Sequence, residues 1–74
     1  MAKLEDRNKI DLMLLLGKMQ LANADAKAAI QTGEKILKWK KNAESYKLLA
    51  DAYEQAGEFE ASQKYFHKYT VADA

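Results

Sequence analysis

The chain has 74 residues, no cysteine and no proline, and twelve basic against eleven acidic residues for a formal net charge of +1. It is at most one small domain, which buries only about 60% of the surface its unfolded chain exposes, and it has neither a disulfide framework nor a thiolate metal site to supplement its core. The near-zero charge argues against a dedicated nucleic-acid or anionic-membrane surface, and the longest apolar run, Leu12 to Leu16, is far short of the roughly 20 residues that span a bilayer. No signal-peptide core follows Met1, so a cytoplasmic setting is expected.

The surplus of Ala, Leu, Lys, Glu and Gln favours helix. Four amphipathic stretches with short breaks predict an all-α chain of four antiparallel helices. The first stretch is expected from about Asp6 or Arg7 to Ala22. It carries Ile10, Leu12, Met13, Leu14, Leu15, Leu16 and Met19, too many apolar positions for one stripe, so it needs cover on more than one side. It ends at Asn23 and Ala24, where Asn23 suits a left-handed helix end, and Asp25 suits the N-cap of the next helix.

The second stretch, about Asp25 to Lys38, places Ala26, Ala29, Ile30, Gly33, Ile36 and Leu37 on one face. Gly33 lowers helix propensity there, which predicts that a neighbouring helix comes close. Asn42 is the expected N-cap of the third helix, about Ala43 to Ala56, with Glu44 placed to meet the helix dipole. Gly57 stops that helix. The fourth stretch, Glu58 to about Val71, sets Phe59, Ser62, Tyr65, Phe66 and Tyr69 on one face, before a tail expected to fray.

Sliding the chain by 34 residues superimposes Leu12 on Tyr46, Leu15 on Leu49, Leu16 on Ala50 and Met19 on Tyr53. A period of 34 is that of the tetratricopeptide repeat. In the second half, Tyr46, Leu49, Ala50, Tyr53, Gly57, Phe59, Ser62 and Phe66 resemble that repeat in order. Ser62 stands for the usual alanine, and Tyr69 for a later small residue. The first half aligns through its second helix only with a turn one residue longer, which sets Ala29 on Ser62, Gly33 on Phe66 and Ile36 on Tyr69. The wording around Tyr46 to Glu54 and Tyr65 to Tyr69 is also similar to repeats in bacterial signalling regulators. The resemblance implies two stacked helix-turn-helix units, the start of an α-solenoid, over a single domain 1–74: a lead-in at 1–8, repeats at 9–42 and 43–70, and a tail at 71–74.

Stacked helix pairs line a concave surface with their first helices. The resemblance puts Ile10, Met13, Gly17 and Gln20 on that lining from the first repeat, and Glu44, Lys47, Asp51 and Glu54 from the second. The expected groove is half apolar and half acidic, suited to a partner peptide or helix with an apolar anchor and a few basic residues. The bland alternative is core packing for Ile10 and Met13 and a solvated face for the carboxylates.

Two units without a cap leave apolar surface uncovered. Tyr65, Tyr69 and Val71, with part of the Leu12 to Leu16 run, are the expected self-association edge, covered by a second copy or by neighbouring repeats of a longer parent chain. Trp39 among Lys35, Lys38, Lys40 and Lys41 suggests a base-stacking basic patch. Against that stands a structural role for Trp39, buried after its helix. His67 is the single histidine and is expected at the surface. With no metal-ligand set, no nucleophile paired to a base and no glycine-rich phosphate loop, neither a cofactor nor an enzyme is expected. The reading favoured is a protein-interaction scaffold, with a homodimerisation module and weak nucleic-acid binding as alternatives.

Overall fold

A computed structural model of the chain describes residues 4–73; the first three residues of the expected lead-in and the last of the expected tail lie outside it. The described residues form four helices: α1 (Leu4–Ala22), α2 (Ala26–Trp39), α3 (Ala43–Gln55) and α4 (Phe59–Asp73). No strand occurs among the described residues. Helix α1 begins at Leu4, inside the expected lead-in, and α4 continues to Asp73, past the expected limit at Val71. Each helix packs on the next, and α1 also packs on α3.

Local chemistry sets the boundaries. The Asp25 carboxylate accepts from the Ala28 N–H at 3.4 Å and caps α2. Asn42 caps α3 more tightly: its Oδ1 accepts from both the Ser45 N–H at 2.7 Å and the Ser45 hydroxyl at 2.8 Å. An N-cap oxygen of this kind satisfies one of the backbone donors that a helix start leaves without a partner.

Helices α1 and α3 end in the same way. The Ala24 N–H donates to the Leu21 carbonyl and the Asp25 N–H to the Gln20 carbonyl. Thirty-three residues on, the Gly57 N–H donates to Glu54 and the Glu58 N–H to Tyr53. This pair of bonds is the Schellman closure, which requires a left-handed residue just past the helix. Gly57 supplies it at φ 83°. In the first turn the left-handed residue is Ala24, at φ 59°, and not Asn23.

The two turns therefore match at a spacing of 33 residues, not the expected 34, and in that register the longer first turn is not needed. With that register Gly17 corresponds to Ala50, Ala29 to Ser62, Gln20 to Tyr53 and Thr32 to Tyr65. The last two correspondences are physical. The Thr32 hydroxyl donates to Gln20 Oε1 at 2.7 Å between α1 and α2, while Tyr53 and Tyr65 stack between α3 and α4 with ring centroids 5.5 Å apart and planes 3° apart. One position pair fastens each helix pair, by a hydrogen bond in one case and by ring faces in the other.

The core runs through the contact between the two helix pairs. Leu14, Ile36 and Leu48 form one buried cluster, flanked by Ile10, Met13 and Leu21. Leu48 and Leu49 each press on a glycine. A Cβ on Gly17 would fall 2.5 Å from Leu48 Cδ2, and one on Gly33 would fall 2.7 Å from Leu49 Cγ. The close approach expected at Gly33 is thus made by Leu49, which is wholly buried. Ser62, buried on α4, donates to the Ala50 carbonyl at 2.8 Å, so its hydroxyl carries a bond between α3 and α4.

Candidate functional site

Helices α1 and α3 border two clefts that meet at Glu44. The larger, about 470 Å³, lies among Ile10, Asp11 and Leu14 of α1, Lys40 and Asn42 of the linker, and Ala43 and Glu44 of α3. The smaller, about 240 Å³, lies between Lys18 and Leu21 of α1 and Glu44, Lys47, Leu48 and Asp51 of α3, with Tyr69 of α4 at its side. Asp11, Glu44 and Asp51 alternate along this surface with Lys18, Lys40 and Lys47. It is a mixed-charge surface with apolar floor residues, not the half-apolar, half-acidic one expected.

The structure redistributes the expected lining. Glu44, Lys47, Asp51 and Ile10 border the clefts, whereas Glu54 is exposed on α3 and borders neither. Gly17 is buried beneath Leu48. Gln20 accepts the Thr32 hydroxyl towards α2, and Met13 packs against the core cluster. The one-residue difference in spacing accounts for the α1 positions, because one residue turns a helix by about 100°. Carrying Glu44, Lys47, Asp51 and Glu54 back by 33 gives Asp11, Leu14, Lys18 and Leu21, and all four border a cleft. The turn spacing was the signal that could have found them.

The expected self-association edge also divides. Tyr65 is half-buried in an aromatic row, 6.4 Å from Tyr46 and 5.5 Å from Tyr53, with the Lys68 ammonium 5.6 Å from its ring centroid. Tyr69 is half-buried beside the smaller cleft and meets Phe66 edge-on at 6.1 Å. Only Val71 of the three is freely exposed.

The Tyr53 hydroxyl donates to Glu34 Oε1 on α2 at 3.0 Å, so Glu34 joins the aromatic row. Burial first, then the Glu34 hydrogen bond and charge, then Tyr65 and Glu58, push the Tyr53 hydroxyl up to about 12. Tyr65 is raised too, by burial and then by Glu34 and Tyr46.

Trp39 does not take the buried place expected of it. It is 53% exposed at the end of α2, with the Lys9 ammonium of α1 5.6 Å from its ring centroid, within the range of a cation–π contact. Lys35, Lys38, Lys40 and Lys41 are exposed around it, and His67 is exposed on α4. Among the described residues no three His, Cys, Asp or Glu side chains are grouped to hold a metal ion, and no helix is long and apolar enough to cross a membrane. Comparison with protein-family models, with curated proteins and with solved structures gives no match.

Proposed function

We propose that the chain is a protein-interaction scaffold: two antiparallel helix pairs packed side by side in the manner of tetratricopeptide repeats, with a partner seated on the surface shared by α1 and α3. The observation that carries this reading is the two clefts that share Glu44, bordered in the 33-residue register by Asp11 and Glu44, Leu14 and Lys47, and Lys18 and Asp51. Its chemistry selects a peptide or helix bearing charges of both signs, with one apolar side chain to cover Leu21 and Tyr69. A helix or extended segment laid along α1 and α3 satisfies this, since alternating side chains meet alternating charges. Fixed charges of both signs reject a partner of wrong charge order more strongly than they add affinity.

The test is affinity capture with the wild-type chain and with Lys47→Glu combined with Asp51→Lys. That exchange keeps net charge and the four-residue helical spacing while reversing the order of charge along the smaller cleft. Loss of specific partners in the variant supports the reading. An unchanged set of partners refutes it.

A further inference from the structure

Helix α1 is apolar on two opposite sides. Leu14 and Gly17 are buried and Leu21 packs on the core, while Leu12, Leu15, Leu16 and Met19 on the other side are 66, 55, 46 and 56% exposed. Their i, i+3, i+4, i+7 spacing makes one strip, on the order of 400 Å² per chain, as large as the largest apolar patch of an ordinary monomer, which is often functional.

The 33-residue register shows what these positions do one unit later. Their counterparts on α3 are Ser45, Leu48, Leu49 and Ala52, all buried, with Leu48 seated on Gly17 and Leu49 on Gly33. Helix α3 uses this face to sit on the first pair; α1 meets nothing there among the described residues. Two of the four residues are much larger on α1, however: Leu12 stands for Ser45 and Met19 for Ala52. A seat that closes around serine and alanine has no room for them, so another surface of the α1–α2 kind is a poor occupant. Nor can the second pair seat the strip of another copy in the same way. Leu49 enters its seat because Gly33 has no Cβ, and the residue 33 places on from Gly33 is Phe66. Head-to-tail addition is therefore blocked, which leaves closed, self-complementary pairing.

The strip reads the same from both ends about a point between Leu15 and Leu16. In an antiparallel pairing Leu15 faces Leu16 of the other copy, Leu12 faces Met19, and the exposed Asn8 and Asn23 face each other at the ends. The flanking charges agree. Asp11 and Lys18, both exposed, lie within about 20° of each other around the helix, along one edge of the strip. With the two-fold axis between Leu15 and Leu16, Asp11 of one copy stands about 3 Å along the helix axis from Lys18 of the other, and the reverse contact repeats it. A parallel pairing puts the two on opposite edges of the seam, where they cannot meet. We propose that the α1 strip joins two copies of this chain, antiparallel and about a two-fold axis, into a closed dimer.

Sedimentation from micromolar to submillimolar concentration tests this without reference to any groove partner. The expected species has twice the 8.4 kDa chain mass. Leu16→Glu should give a monomer with unchanged helical circular dichroism. Lys18→Glu should weaken the dimer roughly tenfold, as loss of two exposed ion pairs implies, and adding Asp11→Lys should restore it. Because the chain has no cysteine, Leu12→Cys and Met19→Cys chains should cross-link when mixed, and neither should do so alone. A monomer at every concentration, masses above the dimer, a dimer that survives Leu16→Glu, or failure of the charge exchange to rescue would each overturn the proposal. A monomer would assign the strip to a partner of another kind.

Discussion

Substituting Gly33 by alanine sets two effects of known size against each other. In an exposed helix the change stabilises by roughly 0.8–1.0 kcal/mol, because glycine loses more backbone freedom on folding. Here the new Cβ would lie 2.7 Å from Leu49 Cγ and 2.8 Å from Leu49 Cδ2. Cγ is the branch point of a wholly buried side chain, so no rotation of a free end relieves the clash. Overpacking of this type costs about 1–3 kcal/mol. The expected net result is a loss of about 1 kcal/mol, or roughly 4–8 °C in Tm for a domain of this size. Gly17→Ala should cost less, since its Cβ would press on the terminal methyls of Leu48, while Leu48 Cγ stands off at 3.3 Å. The sharper test is a cycle with Leu49→Ala, measured by urea unfolding with an excluded osmolyte to keep the weaker variant folded. Once Leu49 is truncated the obstruction is gone, and Gly33→Ala should become stabilising by up to about 1 kcal/mol. If Gly33→Ala stabilises the wild-type chain, or has the same effect in both backgrounds, Leu49 does not sit in the notch as described.

The two Schellman turns should respond in opposite directions: Ala24→Gly relieves a left-handed alanine and raises Tm by the equivalent of about 1 kcal/mol, and Gly57→Ala, at φ 83°, lowers it by a similar amount. Asn42→Ala removes both bonds to Ser45 and should cost about 1–2 kcal/mol in urea unfolding, more than Asp25→Ala, whose cap bond is 3.4 Å long. Raising the pH tests the aromatic row. The Tyr53 hydroxyl is pushed up to about 12 in the folded chain against 10.0 for a free tyrosine, so the unfolded chain ionises first; the stability this gives is whole below pH 10 and drains away as pH rises towards 12. Glu34→Gln should lower the Tyr53 midpoint in a tyrosinate absorbance titration yet leave it above that of a free tyrosine, because burial is the larger cause; a midpoint that does not move would break the link to Glu34.

The helices were legible because their ends are written in short-range chemistry. Asp25, Asn42 and Gly57 each act within three or four residues of themselves, so no tertiary knowledge was needed to place them. The site was less legible, and α1 is the reason. Apolar residues occupy every position from Leu12 to Leu16, so the helix fits the pattern of α3 in more than one register, and matching large residues to large chose the wrong one. Small residues were the better guides. Gly17 with Ala50 and Ala29 with Ser62 agree on 33, and each is fixed by how near another helix comes. Leu12, Leu15, Leu16 and Met19 were aligned with core positions of α3, but they lie on the outer side of α1. Whether such a strip is inside depends on what packs against it, and among the described residues nothing covers it. Trp39 was misjudged for a different reason: its distance from the core depends on where Lys9 brings the start of α1 across the end of α2, a contact between residues thirty positions apart.

The placement of Trp39 has a practical side. The chain has one tryptophan, at the end of α2 where Lys9 of α1 lies over it, and its four tyrosines, Tyr46, Tyr53, Tyr65 and Tyr69, all belong to α3 and α4. Each half therefore carries its own native chromophore. Indole emission follows the separation of the first two helices, and near-ultraviolet tyrosine dichroism follows the last two. Superimposable melting curves from the two signals would mean that the halves come apart in a single step, and displaced curves would give the order of their release, with no dye attached to either.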